Sequence, residues 1–251
     1  MTRSRVIIAV AAVVVAIAVG GFVVYDQVLR GDSAAALALP TASTAPAAST
    51  APGASAALAA SAGTSAGAVG DVAGTWNVAA GSVAGYRVRE QLANLPAESN
   101  AVGRTDQVTG SITVETSGTT TTLTAASLSV DMTSLASDKT MRDSRLRREG
   151  LETDAYPTAT FSLTSPVEVP AAALAGTESD ITLTGDLTIH GVTKSVQIPA
   201  KAQLVNGTIQ VAGSLTFPLS DYAIVAPNIG GVIVSIADNG TLEFLVNFTK
   251  A

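Results

Sequence analysis

Apolar and polar residues alternate with a period of two from about Trp76 to the C-terminus, the pattern of strands with one dry and one wet face. Ile112 and Val114 alternate with Thr113 and Glu115. Ile209, Val211, Leu215 and Phe217 alternate with Thr208, Gln210, Ser214 and Thr216, and Leu242, Phe244, Val246 and Phe248 with Thr241, Glu243, Asn247 and Thr249. The clearest run spans residues 181–196, where Ile181, Leu183, Leu187 and Ile189 share one parity and Thr182, Thr184, Asp186 and Thr188 the other. His190-Gly191 breaks it, and alternation resumes at Val192, Val196 and Ile198, which predicts a hairpin. Ser117-Gly118, Asn206-Gly207 and Asn239-Gly240 lie between runs and predict further turns. Between Leu123 and Met132 the parity flips, from Leu123 and Ala125 to Leu128, Val130 and Met132, which predicts a bulge near Ala126-Ser127 in a long, curved strand. Many one-sided strands need a second sheet or closure on themselves, so the pattern allows a sandwich or a barrel.

One segment of this half departs from alternation. Residues 138–150, DKTMRDSRLRREG, contain good helix formers and predict a helix of about three turns, with Met141, Leu146 and Leu135 as apolar contacts. Ser134 or Ser137 is the expected N-cap and Gly150 the expected C-cap.

The first third of the chain has a different texture. Residues 6–24 carry no charge, and about 19 residues at about 1.5 Å each match the roughly 30 Å hydrocarbon core of a bilayer. Arg3 and Arg5 before this run, against Asp26 and Asp32 after it, place the N-terminus in the cytoplasm and the rest outside. A cleaved secretory signal is the competing reading, with Ala34-Ala35-Ala36 and Ala36-Leu37-Ala38 as cleavage-site patterns. The run's length favours an uncleaved, single-pass anchor. Residues 33–73 are Ala, Ser, Thr, Pro and Gly with almost no charge, the composition of a disordered linker with an r.m.s. reach of about 35 Å. The expected organisation is a membrane or signal segment over 1–32, a linker over 33–73 and a β-domain over 74–251.

Composition narrows the chemistry. The chain has no cysteine and one histidine, so a tetrahedral zinc or copper site and a disulfide framework are not expected, and no motif asks for a cofactor. The net charge of −6 argues against nucleic acid. An enzyme would need acid-base partners drawn from Tyr86, Glu90, Asp221 and His190 to converge, and His190 falls at a tight turn of the kind that is commonly exposed. Arg142, Arg145, Arg147 and Arg148 form the densest basic cluster. Most are expected to be a solvated helix face paired with Asp138, Asp143, Glu149 and Glu152, while the functional reading makes Arg142 and Arg145 contacts for a ligand headgroup. Small residues on the inward parity, Ala125, Gly185, Ala200, Ala202 and Gly213, fit either tight sheet packing or an open interior.

Two blocks carry a family resemblance. Gly185-Asp186-Leu187-Thr188-Ile189-His190-Gly191-Val192-Thr193-Lys194 resembles the G-x-L-T-x-x-G-x-T-K signature of YceI-like proteins. Arg142-Asp143-Ser144-Arg145-Leu146, followed by Tyr156-Pro157 and Phe161, is similar to that family's R-D-x-H-L … Y-P … F segment. The resemblance covers roughly residues 76–249. It implies an all-β, antiparallel, lipocalin-like β-barrel with a short helix, here preceded by an N-terminal transmembrane helix and a disordered linker. It also implies binding of a polyisoprenoid or other long-chain lipid without catalysis. The chain departs from the family pattern at Arg145, where many relatives have histidine, at Gly150 and Leu151, where they have aromatics, and at Glu90, about where another histidine falls.

On this reading the cavity lining comprises Tyr86, Val88, Leu128, Val130, Met132, Met141, Leu146, Phe161, Leu187, Ile189, Phe217 and Tyr222, each of which is also suited to an ordinary core. The expected partners are a long-chain apolar lipid, isoprenoid or fatty-acyl, and the membrane through residues 6–24. The sequence does not distinguish a monomer from a homodimer. The alternative function is a surface-displayed interaction or adhesion module with a filled β core.

Overall fold

The computed structural model describes residues 34–40, 71–92, 98–227 and 233–251. The apolar run at 6–24 and linker residues 41–70 lie outside the described residues. Among those described, no helix is long and apolar enough to cross a membrane.

The strands, in chain order, are β1 (Gly74–Val78), β2 (Val83–Leu92), β3 (Ser99–Thr105), β4 (Val108–Ser117), β5 (Thr120–Asp131), β6 (Ala136–Ser137), β7 (Thr158–Leu163), β8 (Val167–Glu168), β9 (Ser179–Ile189), β10 (Val192–Val205), β11 (Thr208–Pro218) and β12 (Ile233–Lys250). Three neighbouring pairs are halves of single broken staves. β1 and β2 lie one after the other along β12, with Val78 opposite Phe248 and Val83 opposite Leu245. β4 and β3 pair with β1 and β2, and β5 and β6 pair with β4 and β3. Counted as staves, the architecture is an antiparallel barrel of eight that runs up and down in sequence order, with the two-residue β8 added to β5. Because β1 pairs with β4 on one side and β12 on the other, the ring has no free edge.

The alternation forces this solution, since each strand buries one parity and a closed sheet gives all of them a common interior. Three hairpins turn where expected: Ser117-Gly118 joins β4 to β5, with φ of 60° at Gly118, and two others follow the same rule. His190-Gly191 has φ of 52° and 72° and Asn206-Gly207 has 51° and 74°, the positive angles a two-residue hairpin requires. Asn239-Gly240 is a correction: it lies inside β12, opposite Pro218 and Phe217, where pairing with β2 slips between Ile236 and Gly240. The irregularity absorbs the turn signal without reversing the chain. The bulge on β5 is also displaced from its expected place. Thr113 faces Ala125 and Val114 faces Leu123, so Thr124 is the extra residue; Ala125 is therefore exposed and Ala126 packs on the core.

The helix, α1 (Thr140–Arg148), is shorter than expected. Ala136 and Ser137 pair with Arg104 and Gly103 on β3, which keeps the backbone extended and delays the first helical turn. Lys139 is the N-cap and makes no side-chain capping bond. Ser137 instead donates from both its N–H (3.0 Å) and its Oγ (2.6 Å) to the Asp143 carboxylate, and Ser134 ends a 3-10 turn over Met132–Ser134. The helix stops at Glu149, and Gly150 follows with φ of 78°, which suits glycine after a helix end. A single turn, α2 (Ala171–Leu174), precedes β9.

Trp76, Ile112, Val114, Leu123 and Phe248 pack into the end of the barrel away from α1. Trp76 is 3% exposed, and its indole N–H donates to the Val72 carbonyl at 2.9 Å. Truncating it leaves a large hole at the packed end, so Trp76→Ala is expected to cost about 3–5 kcal/mol, read as a lowered urea midpoint with an unchanged denaturant slope.

Candidate binding cavity

The interior toward α1 is open. A cavity of ≈ 210 Å³ runs among the inward side chains of the staves, and its lining is almost wholly apolar. One water needs about 10–15 Å³ on such a scale, so the space accommodates an elongated chain of on the order of ten or more methylene-sized units.

Of the residues singled out in the sequence, Tyr86, Val88, Leu128, Val130, Met132, Leu146, Phe161, Leu187, Ile189 and Phe217 are on this wall, as are Arg142 and Arg145. Two are not. Met141 is 65% exposed: the α1 face toward the cavity carries Arg142, Arg145 and Leu146, and Met141 sits about 100° round the helix from Arg142. Tyr222 is 1% exposed and packs edge-on to Phe217 at 4.9 Å between centroids, so Phe217 faces the space and Tyr222 backs it. The wall also contains Leu135, Leu151, Ile224 and Pro227, from irregular segments where no periodicity marks an inward side. Ala84 and Ala101 are on the wall too, and Ala84 shares the parity of Tyr86 and Val88.

The inward glycines do not create the space. A Cβ on Gly103 would come within 2.3 Å of the Tyr86 ring, one on Gly185 within 2.5 Å of Phe161, and one on Gly213 within 2.7 Å of Phe244. Each glycine is the seat of an aromatic ring from an adjacent strand. The rings lie along the wall, and the remaining volume lies beside them.

Polar groups gather near α1. Glu90, buried on β2, accepts from Arg142 Nη2 at 2.5 Å, and Arg142 Nη1 donates to Asp138 and, at 3.3 Å, to Ser137 Oγ. Burial acts to lower the Arg142 pKa, but the Glu90 and Asp138 carboxylates outweigh it and hold the group above its ordinary value. Arg142 is thus already neutralised by two carboxylates, while Arg145 makes a loose pair with Glu149 at 3.7 Å. The Tyr86 hydroxyl, on the same wall, is buried with no partner among the described residues. Burial pushes its pKa well above the tyrosine range, with Arg142 opposing and Asp143, Glu90 and Asp138 reinforcing the rise. It is a neutral hydrogen-bond donor in an otherwise greasy space.

His190 sits at its hairpin turn as expected but is not exposed, because its ring is folded inward and tied at both nitrogens. Nε2 meets a Glu152 oxygen at 2.8 Å, Nδ1 meets the Tyr222 carbonyl at 3.1 Å, and the Tyr156 ring lies 4.3 Å away. The β9–β10 hairpin, the loop after α1 and the 3-10 turn Leu219–Tyr222 are joined by this one side chain. Asp221 faces Lys194 on the surface at 3.9 Å, so Tyr86 with Glu90, His190 and Asp221 occupy three separate settings. Among the described residues no group of three or more His, Asp or Glu stands where it could hold a metal ion.

Two outcomes follow from these contacts. His190→Ala is expected to lower stability by about 1–3 kcal/mol and to speed amide exchange over residues 150–157 and 219–224, with His190→Gln recovering part of the protection. Tyr86 has a folded pKa above its unfolded value of 10.0, so its contribution is complete below that pH and is lost as pH rises towards the folded value. Tyr86→Phe is therefore expected to match or exceed the parent stability at neutral pH and to lose less of it above about pH 10, checked by urea unfolding across the alkaline range.

Comparison with known proteins agrees with this architecture. A polyisoprenoid-binding domain from Saccharophagus degradans, described as implicated in plant cell wall breakdown, superposes with a TM-score of 0.54 at 22% identity, over 70% of this chain and 98% of that one. Burkholderia cenocepacia BcnA superposes with a TM-score of 0.50 at 20% identity, over 66% and 95% of the two chains. No curated protein matches the chain in sequence. The family model for the YceI-like domain matches residues 61–248, most of the chain and the whole of the barrel but its last residues, and the protein belongs to the YceI-like family.

Proposed function

We propose that the barrel binds a long-chain lipid, a polyisoprenoid by preference, in its interior and outside the cytoplasm, without chemical turnover. The observation that carries this is the apolar cavity in a closed barrel, with its few polar groups collected near α1. Such a space suits a molecule with a long hydrocarbon tail and one polar end. Enclosing about ten methylenes at about 0.8 kcal/mol each gives about 8 kcal/mol, enough for micromolar binding. The solved neighbour described as a polyisoprenoid-binding domain supports the ligand class.

Location rests on the sequence. Residues 6–24 are long and apolar enough for a single span, and Arg3 and Arg5 orient it with the barrel outside. An anchored carrier would work next to the bilayer that supplies its ligand.

Native mass spectrometry of residues 33–251 after bacterial expression, followed by organic extraction, tests the reading. A stoichiometric adduct of prenyl or fatty-acyl mass is expected. Val130→Asp, which places a charge on the wall, and Ala159→Phe, which fills space on it, are each expected to weaken binding by about 100-fold or more. A clean apo mass that persists after incubation with isoprenoids would mean a filled core serving protein contacts.

A further inference from the structure

The segment Ala34–Pro40 belongs to the stretch whose composition reads as disordered linker, yet it lies against the outside of the barrel. Arg87 Nη2 donates to the Ala34 carbonyl at 2.7 Å, Arg104 Nη2 donates to the Ala35 carbonyl, and Gln203 Nε2 donates to the Pro40 carbonyl at 3.4 Å. Leu39 is 4% exposed. Arg104, Arg87 and Gln203 stand on β3, β2 and β10, and the stave order between them is β3, β2, β12, β11, β10. Four inter-strand steps of about 4.8 Å make about 19 Å, within the roughly 23–25 Å that seven extended residues can reach. The segment is therefore long enough to run across the outside of the barrel from β3 to β10.

The wall beneath is prepared for it. Glu243 and Ala212 are on the outward parity, between the inward pairs Leu242 and Phe244, and Val211 and Gly213, yet both are buried, as is Gln203. The Glu243 carboxylate holds Arg87 at 3.4 Å and Arg104 at 2.8 Å, the same two guanidiniums that grip the segment.

Its location has a consequence for the α1 end. Ala34 is fastened at Arg87, three residues along β2 from Glu90, or about 10 Å from the polar group beside α1. Among the described residues the exposed large hydrophobics are Met141, Tyr156 and Val225. Met141 is on α1, Tyr156 follows it against the β9–β10 hairpin, and Val225 adjoins Ile224 and Ala226 of the cavity wall. Arg147 and Arg148, also exposed, lie on the same helix. Exposed apolar side chains beside arginines suit an anionic lipid surface.

We infer that the α1 end of the barrel is a membrane-docking face, and that Ala34–Pro40 is a strap that holds it there. This deepens the reading of an anchored lipid carrier and rests on it. With the strap seated, residues 41–70 add nothing to the reach between the apolar span and the barrel. Only residues 25–33 separate the apolar span from the strap, about 30 Å when fully extended. The barrel is held close, with its cavity end towards the lipid.

The full chain in phosphatidylcholine vesicles containing phosphatidylglycerol provides the test. Because the protein has no cysteine, Val225→Cys at the α1 end and Thr119→Cys in the β4–β5 turn each give a single labelling site. Quenching of an attached dye by a lipid-borne nitroxide is expected to be at least threefold stronger at position 225, and Leu39→Asp is expected to abolish that difference while native mass spectrometry still finds the lipid adduct. Equal quenching at the two sites, or a difference that Leu39→Asp leaves intact, would overturn the strap and its docking face. Loss of the adduct from the parent chain with the quenching difference preserved would instead sink the lipid-carrier reading and leave the docking face standing.

Discussion

Everything in this protein depends on the short strand β1 being paired on both sides. Between β4 and β12 it completes the ring, satisfying the row of backbone donors and acceptors that an open sheet would leave at its edge. Once the ring is closed, every strand's apolar parity has one place to go. Eight staves enclose an interior just wide enough to be filled by side chains or to hold one small ligand. Here both occur: bulky residues, Trp76 and Phe248 among them, fill one end, and the end near α1 stays open.

How that end stays open is a matter of where the bulk is placed. Tyr86, Phe161 and Phe244 lie over glycines of adjacent strands, so their rings line the wall instead of crossing the interior. Phe217 is backed by Tyr222, whose own position is held by the contact of its carbonyl with His190. The polar groups follow the same economy. Glu90 and Arg142 neutralise one another, and the Tyr86 hydroxyl beside them, without a partner among the described residues, is a donor that burial keeps un-ionised. A cavity of this kind recognises shape and apolar length first, and a single polar end second.

The outer wall is also organised around charge. Glu243 is taken out of water on the outside of the barrel and held by two arginines, and removing either partner of such a buried arrangement leaves an uncompensated charge. The guanidiniums fixed in this way have N–H groups left over, and these meet the carbonyls of Ala34 and Ala35. Binding inside and attachment outside thus use opposite faces of the same strands, β2 and β12, since Tyr86 and Leu242 point in while Arg87 and Glu243 point out.

Much of the fold was legible in the chain because strand alternation reports a local fact, the side of a pleat on which each residue falls. The hairpins at His190-Gly191 and Asn206-Gly207, the helix in the interval before β7, and most of the cavity wall follow from parity, turn chemistry and two family-like motifs. Met141 and Tyr222 were misplaced because their orientation depends on how a helix and a 3-10 turn are rotated on the barrel, which no period of two describes. Leu135, Leu151 and Ile224 were missed for the same reason, and the bulge at Thr124 fell beside its expected place because either residue serves the same change of parity. The Glu90–Arg142 pair, the tied His190 and the docking of Ala34–Pro40 join residues far apart in the chain, and only the tertiary structure decided them. By itself the sequence determined which side of each strand is dry. Closure of the barrel determined which of those dry residues fill the interior, which leave it open, and which outward charges find partners, because these depend on distances between strands that the order of residues does not contain.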